Sequence, residues 1–155
     1  LVDYKMNNGL PRNLTGATAE RLPLNHGFKA VQIAVSAWTA EALKQTLSAS
    51  IFSRSTECHN QDKVSMGTIA ARDASRVIVL TEQVIAALCC ASVQAIQLKA
   101  LDASLAEVLA AFQAWVLQTF DYVVEDRPLQ HELQQLVDRF ENLELLNSER
   151  VHSIG

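Results

Sequence analysis

Val84-Ile85-Ala86-Ala87-Leu88-Cys89-Cys90-Ala91-Ser92-Val93-Gln94-Ala95-Ile96-Gln97-Leu98 carries no charge, glycine or proline, and its reading decides the fold class. It belongs to a longer apolar series, Met66, Ala70, Val77, Leu80, Val84, Leu88, Ala91, Ala95 and Leu98, spaced mostly at three- and four-residue steps. That spacing is one face of a helix. The small residues Ala86, Ala87, Ala91 and Ala95 allow a second helix to approach closely. With no breaker from Val64 to Lys99, the pattern predicts one helix (helix B) about 50 Å long. A globule of this size has a radius of gyration of about 15 Å. Helix B therefore overshoots any globule the chain could build alone, and its ends need partners from a longer chain or from other subunits.

Outward from helix B the same periodicity recurs. Helix A is predicted from Gly27 to Ser48, with Phe28, Val31, Val35, Trp38 and Ala42 on one face and Asn25 as its cap. Ile33, Ala34, Ala37 and Ala40 make its other side weakly apolar, which suits a helix inside a bundle. Helix C follows Asp102, with Glu107 near its positive end and a face of Leu105, Val108, Leu109, Phe112, Val116 and Phe120, Trp115 alongside. Asp126-Arg127-Pro128 reads as the cap and first turn of helix D, whose stripe is Leu129, Leu133, Leu136, Phe140 and Leu143. Residues 1–26 are broken by Asn7-Asn8-Gly9, Pro11, Gly16 and Pro23 and read as a connector; 147–155 reads as a frayed tail. No strand pattern competes. The expectation is an all-α fold of long antiparallel helices, one domain over residues 1–155, with the helical region at 27–146.

Bulk properties narrow the function. Hydrophobic residues make up 49% of the 155 positions, too many for a disordered chain. The net charge of -4 leaves no basic footprint for nucleic acid. No uncharged run of 18 apolar residues is present, so no membrane partner is expected. Cys58, Cys89 and Cys90 read as reduced thiols of a cytoplasmic protein, and no Cys or His pair has zinc-type spacing. The sequence begins at Leu1 and runs at once into Val2-Asp3-Tyr4-Lys5, which reads as an interior start: a fragment, or the second part of a longer protein.

Between helices A and B lies the one dense polar run: Phe52-Ser53-Arg54-Ser55-Thr56-Glu57-Cys58-His59-Asn60-Gln61-Asp62-Lys63-Val64-Ser65-Met66-Gly67. Such a connection is either a solvated loop or the wall of a site. If it turned helical near Asn60, then Glu57, Asn60 and Gln61 would share one face, setting a carboxylate beside two carboxamides. A carboxylate holds an ammonium group or takes its proton, and amides anchor a polar ligand. Alternatively Asp62 or Gln61 caps helix B and Glu57 sits in water. Cys58 lacks a well-placed base, since neighbouring side chains such as His59 seldom face each other. Trp38, Trp115 and Phe112 sit on apolar faces and read as core. Asp121, Glu125 and Asp126 read as helix punctuation rather than metal ligands.

Ser53-Arg54-Ser55-Thr56-Glu57, His59-Asn60-Gln61-Asp62 and Val64-Ser65-Met66-Gly67 together resemble the ammonia-lyases and aminomutases that act on histidine, phenylalanine and tyrosine. The resemblance extends upstream through Asn7-Asn8-Gly9-Leu10-Pro11, Leu24-Asn25-His26-Gly27-Phe28 and Gln32, and downstream to Asp126-Arg127-Pro128. It implies an aromatic amino acid as substrate, loss of a β-proton and ammonia, and in an aminomutase return of the ammonia at the β-carbon. It also implies the electrophilic methylidene-imidazolone group (MIO) as cofactor, no metal, and a homotetramer whose active sites are assembled from more than one subunit. By the same resemblance Glu57 matches the carboxylate near the substrate amine, Gln61 and Asn60 match pocket positions beside MIO, and His59 is structural. Gln61 stands where the histidine-specific branch typically has a glutamate, so the run looks closer to the phenylalanine and tyrosine branch.

One departure stands out. MIO forms from a consecutive Ala-Ser-Gly, whereas here Ala91-Ser92 continues to Val93, Ala103-Ser104 to Leu105 and Ala49-Ser50 to Ile51. The family's catalytic tyrosine and its clamp for the substrate carboxylate lie upstream of these residues. Two readings follow: part of a lyase or aminomutase, inactive as this chain alone, or a non-catalytic helical scaffold derived from the same family.

Overall fold

The computed structural model of the protein describes residues 1–100 and 106–140. Four α-helices carry the fold: α1 Lys29–Lys44, α2 Gly67–Leu98, α3 Glu107–Val116 and α4 Gln130–Phe140. Short 3-10 turns occur at Arg12–Leu14, Leu22–Leu24 and Ala49–Phe52. Among the described residues there is no β-strand, only one isolated antiparallel bridge between Thr56 and Gln61. The all-α expectation holds. The proposed cap Asp102, the face residue Leu105, the stripe residue Leu143 and the tail 147–155 lie outside the described residues.

The 32 residues of α2 make a rod roughly 48 Å long. It starts at Gly67 rather than Val64, because Ser65 accepts a hydrogen bond from the Gly67 N–H and the first helical bond runs from Ala70 N–H to Met66 O. By length and composition α2 could cross a membrane, which the search for an uncharged apolar run did not foresee. Over its C-terminal half it packs as a core helix. Both α1 and α4 lie along it, α3 touches it, and Leu80, Ala86, Ala87, Cys90, Val93 and Gln94 are buried. The buried stripe differs from the expected one: Leu88 is 58% exposed and Ala70 is exposed, while Val93 and the polar Gln94 lie inside. Ala86 and Ala87 are buried, and Ala91 and Ala95 half-buried, against the core.

α1 is shorter at both ends than the expected Gly27–Ser48 and runs antiparallel to α2: Glu41 pairs with Arg76, while Phe28 and Val31 lie near Ala87 and Ala91. Phe28, just ahead of the helix, is buried and meets Phe120 edge to face at 6.1 Å. Phe120 lies beyond the end of α3, not on its face, yet it is fully buried. The stripe of α4 holds over its described part, with Leu136 and Val137 buried and Leu129, Leu133 and Phe140 half-buried. Trp115 stacks on Phe140 at 5.9 Å, and the Arg139 guanidinium sits over its ring at 4.4 Å.

The connector 1–26 is irregular but not peripheral. Leu10 and Leu14 belong to the core, and Gln94, fully buried on α2, ties the connector down. Its side-chain amide donates to Leu14 O at 2.8 Å and Val123 O at 2.9 Å, and its carbonyl accepts from Val123 N–H at 3.0 Å. These backbone groups have left water and their segments lack a ladder to satisfy them.

A second junction corrects two expected caps. The Asp126 carboxylate does not cap α4. It accepts from His26 N–H at 2.8 and 2.9 Å and from Gly27 N–H at 2.7 Å, closing the entry to α1. Asn25 accepts in turn from Asp126 N–H at 2.8 Å instead of capping α1. Gly27, at φ +49°, brings its backbone so close to Asn13 that a Cβ would lie 2.5 Å from Asn13 O. Arg127 pairs with Glu132 and donates to Asp121 O at 2.7 Å, which fixes the approach to α4.

Replacing Gln94 by the similarly sized Met is expected to lower unfolding stability by about 3 kcal/mol or more, since it leaves buried backbone groups of two segments unpaired. Urea titration followed by circular dichroism measures it. The Asp126 carboxyl is held below its usual range, chiefly by the His26 N–H bond, and then by Gly27 against opposing desolvation. A depressed carboxyl stabilises the fold above its unfolded value of about 3.9. The advantage of wild type over Asp126→Asn, about 1 kcal/mol at neutral pH because charge-assisted hydrogen bonds become neutral ones, is therefore expected to persist down to about pH 4 and vanish as the pH falls further.

Candidate active site

The polar run folds as a closed loop. The Ser53 hydroxyl donates to Val64 O at 3.1 Å, and Val64 N–H donates back to that hydroxyl at 2.8 Å, so one side chain joins both ends. Inside it, Thr56 and Gln61 exchange backbone hydrogen bonds at 3.0 and 3.2 Å. The Thr56 hydroxyl also donates to the Gln61 side-chain carbonyl at 3.2 Å. Asn60 N–H closes a tight turn on Glu57 O at 3.0 Å. At the crown of this arch Glu57, Cys58 and His59 have φ of +50°, +54° and +70°. Left-handed backbone costs a residue with a Cβ about 1–2 kcal/mol, so three in succession need the bridge beneath them.

The arch replaces the helical turn that would have given Glu57, Asn60 and Gln61 a common face. Glu57 and Gln61 instead stand at the start and the close of a hairpin-like bend, all three side chains exposed. Neither Asp62 nor Gln61 caps α2; Met66 occupies that place without a side-chain bond. Two grooves lie away from this bend. One of about 450 Å³ sits between α1, α2 and α4, lined by Val31, Trp38, Gln83 and Leu133, and an apolar one of about 270 Å³ is lined by Val2, Phe28 and Leu88. Glu57, Asn60 and Gln61 are thus brought to one bend, with their side chains exposed. The bend was missed from sequence because nothing in Glu57-Cys58-His59 signals left-handed backbone: none is glycine or asparagine.

The comparisons with known proteins identify the fold and its family. Residues 1–117 match the aromatic amino acid lyase family. The chain belongs to that family. It is 37% identical over 139 residues, 88% of this chain and 26% of the relative, to a tyrosine ammonia-lyase of Cereibacter sphaeroides. It is 32% identical over 129 residues, 83% of this chain and 24% of the relative, to histidine ammonia-lyase 1 of Fusobacterium nucleatum. The crystal structure of tyrosine aminomutase from Streptomyces globisporus superposes with a TM-score of 0.83 at 27% identity, covering 94% of this chain and 27% of that one. The chain spans about a quarter of the length of these relatives.

The family resemblance read from the polar run and its flanks is therefore sound over most of the chain. The flanking motifs also acquire a physical role. Asn25-His26-Gly27-Phe28 and Asp126-Arg127-Pro128 are the two halves of one hydrogen-bonded junction. Among the thiols, Cys58 is exposed on the arch and Cys90 is buried, its thiol pushed up to about 12, first by desolvation. Since the thiolate is the reactive form, a maleimide is expected to label Cys58 in the native protein and Cys90 only after denaturation. Mass spectrometry of the labelled peptides checks this.

Proposed function

We propose that this chain supplies one wall of the active site of an aromatic amino acid ammonia-lyase or 2,3-aminomutase, acting on a phenylalanine- or tyrosine-type substrate. The observation that carries the reading is the bridged arch, a built feature on which family membership and the Glu57-to-Gln61 motif coincide. In this reading the Glu57 carboxylate takes the proton of the substrate ammonium, and the carboxamides of Gln61 and Asn60 orient polar groups beside it. These amides both donate and accept, which fits a carbonyl-bearing group such as MIO. When bound, that group supplies an electrophilic carbon; no Ala-Ser-Gly is available in these residues to form it. Its source, the remaining pocket walls and the selection of substrate belong to elements beyond this chain or to other subunits.

Exposed apolar side chains on α1 and α2, including Ile33, Leu43, Ile78 and Leu88, support assembly with further helices in an oligomer, taken here as a tetramer. Free Cys58, Cys89 and Cys90 support a cytoplasmic location. The second reading is a non-catalytic scaffold of the same family, with which the exposed setting of Glu57 is compatible.

Absorbance assays separate the two. The isolated chain is expected to form no cinnamate or coumarate from phenylalanine or tyrosine. The native assembly is expected to form one of them or a β-amino acid, and Glu57→Gln to lower that turnover about a hundredfold or more. A native assembly with no turnover and no absorbance near 300 nm overturns the catalytic reading in favour of the scaffold.

A further inference from the structure

We propose that His59 and Ser55 form a latch that sets the course of the arch, which makes His59 a positioning residue for Glu57 and Gln61. The inference rests on the catalytic reading above. His59 Nδ1 and Ser55 Oγ share a hydrogen bond of 2.7 Å that spans the left-handed crown from outside the Thr56–Gln61 bridge. The bridge alone fixes where the arch closes. It does not decide how the four residues between turn, and left-handed backbone at three of them, Glu57, Cys58 and His59, is the less favoured course. The latch engages the last of the three left-handed residues, His59 at φ +70°, and ties it back to Ser55, the residue ahead of the bridge. The Glu57 backbone carbonyl is simultaneously held by Asn60 N–H, and the Gln61 carboxamide by the Thr56 hydroxyl. Releasing the latch thus frees the crown, and with it the directions in which Glu57 and Gln61 present their side chains.

A neutral imidazole protonated on Nε2 accepts the Ser55 proton at Nδ1. Asparagine places an acceptor at nearly the same reach from Cα and tolerates left-handed backbone. It should therefore replace His59 in the latch, whereas glycine keeps the backbone freedom and loses the bond.

Hydrogen exchange of peptides spanning 54–62 in the native assembly, on the millisecond scale, tests the latch. Ser55→Ala, His59→Ala and His59→Gly are each expected to speed exchange at Thr56 and Gln61 about two- to tenfold. His59→Asn is expected to keep the wild-type rate, and the Ser55→Ala/His59→Ala double variant to be no faster than either single one, since the two changes remove the same bond. Unchanged exchange in a single variant, or additive effects in the double one, overturns the latch. Turnover of the same assemblies tests the positioning role: Ser55→Ala is expected to lower kcat/KM, and His59→Asn to stay close to wild type. Looser exchange with unaltered kcat/KM overturns positioning while leaving the lyase reading intact. Absence of turnover in the unmodified assembly overturns the lyase reading, and with it the positioning role, while exchange still decides the latch.

Discussion

A buried carboxamide on the longest helix is what allows two irregular segments to be core. Gln94 satisfies the carbonyl of Leu14 and the N–H of Val123 and shares the Val123 carbonyl with Gly16 N–H, in segments that lie far apart in the chain and have no sheet or helix partner where they cross α2. Without such a partner each buried group would carry the cost of lost hydration, and the segments would be pushed to the surface. Leu10, Leu14, Phe120 and Val123 could then not close over α2. The second junction depends on that closure, since it requires the 123–127 segment beside the entry to α1, where Asp126 meets His26 and Gly27.

The polar arch stands at the opposite end of the same rod. From Gly67 to Gln94 the axis of α2 advances roughly 40 Å, so the packed junction and the arch stand well apart and are linked through α2 and the antiparallel α1. Their surroundings differ accordingly. The C-terminal half of α2 buries Ala86, Ala87, Cys90, Val93 and Gln94, whereas its first turns, with Ile69 and Ile78, are largely exposed. A hydrogen-bonded arch on a rigid, sparsely covered helix end is suited to contribute a wall to a site completed by other elements, as proposed above, because its own bonds rather than its neighbours hold its shape.

Much of the fold was legible. The three- and four-residue spacing located all four helices, because helical burial repeats at the helical period whatever the partner is. The stripe of α4 and the apolar character of α2 emerged directly. Helix ends did not. Asp126 has the residue type of a local cap and serves a helix about a hundred residues earlier, and Asn25 is likewise committed across the chain. Leu88 looked like core and is exposed, while Gln94, absent from the expected apolar face, is buried and bonded to backbone groups of two segments. Single-residue polarity cannot distinguish these cases, since burial of an amide depends on which backbone groups await it.

For the candidate site the division is sharper. Sequence by itself determined the helix class and, through the resemblance of its polar run and flanks, the family, and it supplied Glu57, Asn60 and Gln61 as the positions proposed to carry chemistry, because residue types and helical spacing are local properties. Only the tertiary structure decided that these residues occupy a bridged, left-handed arch instead of a helix face, and that the flanking motifs interlock at the far end of α2. Those arrangements arise from hydrogen bonds between groups distant in sequence or set in rarely adopted backbone, and neither leaves a periodic trace in the order of amino acids.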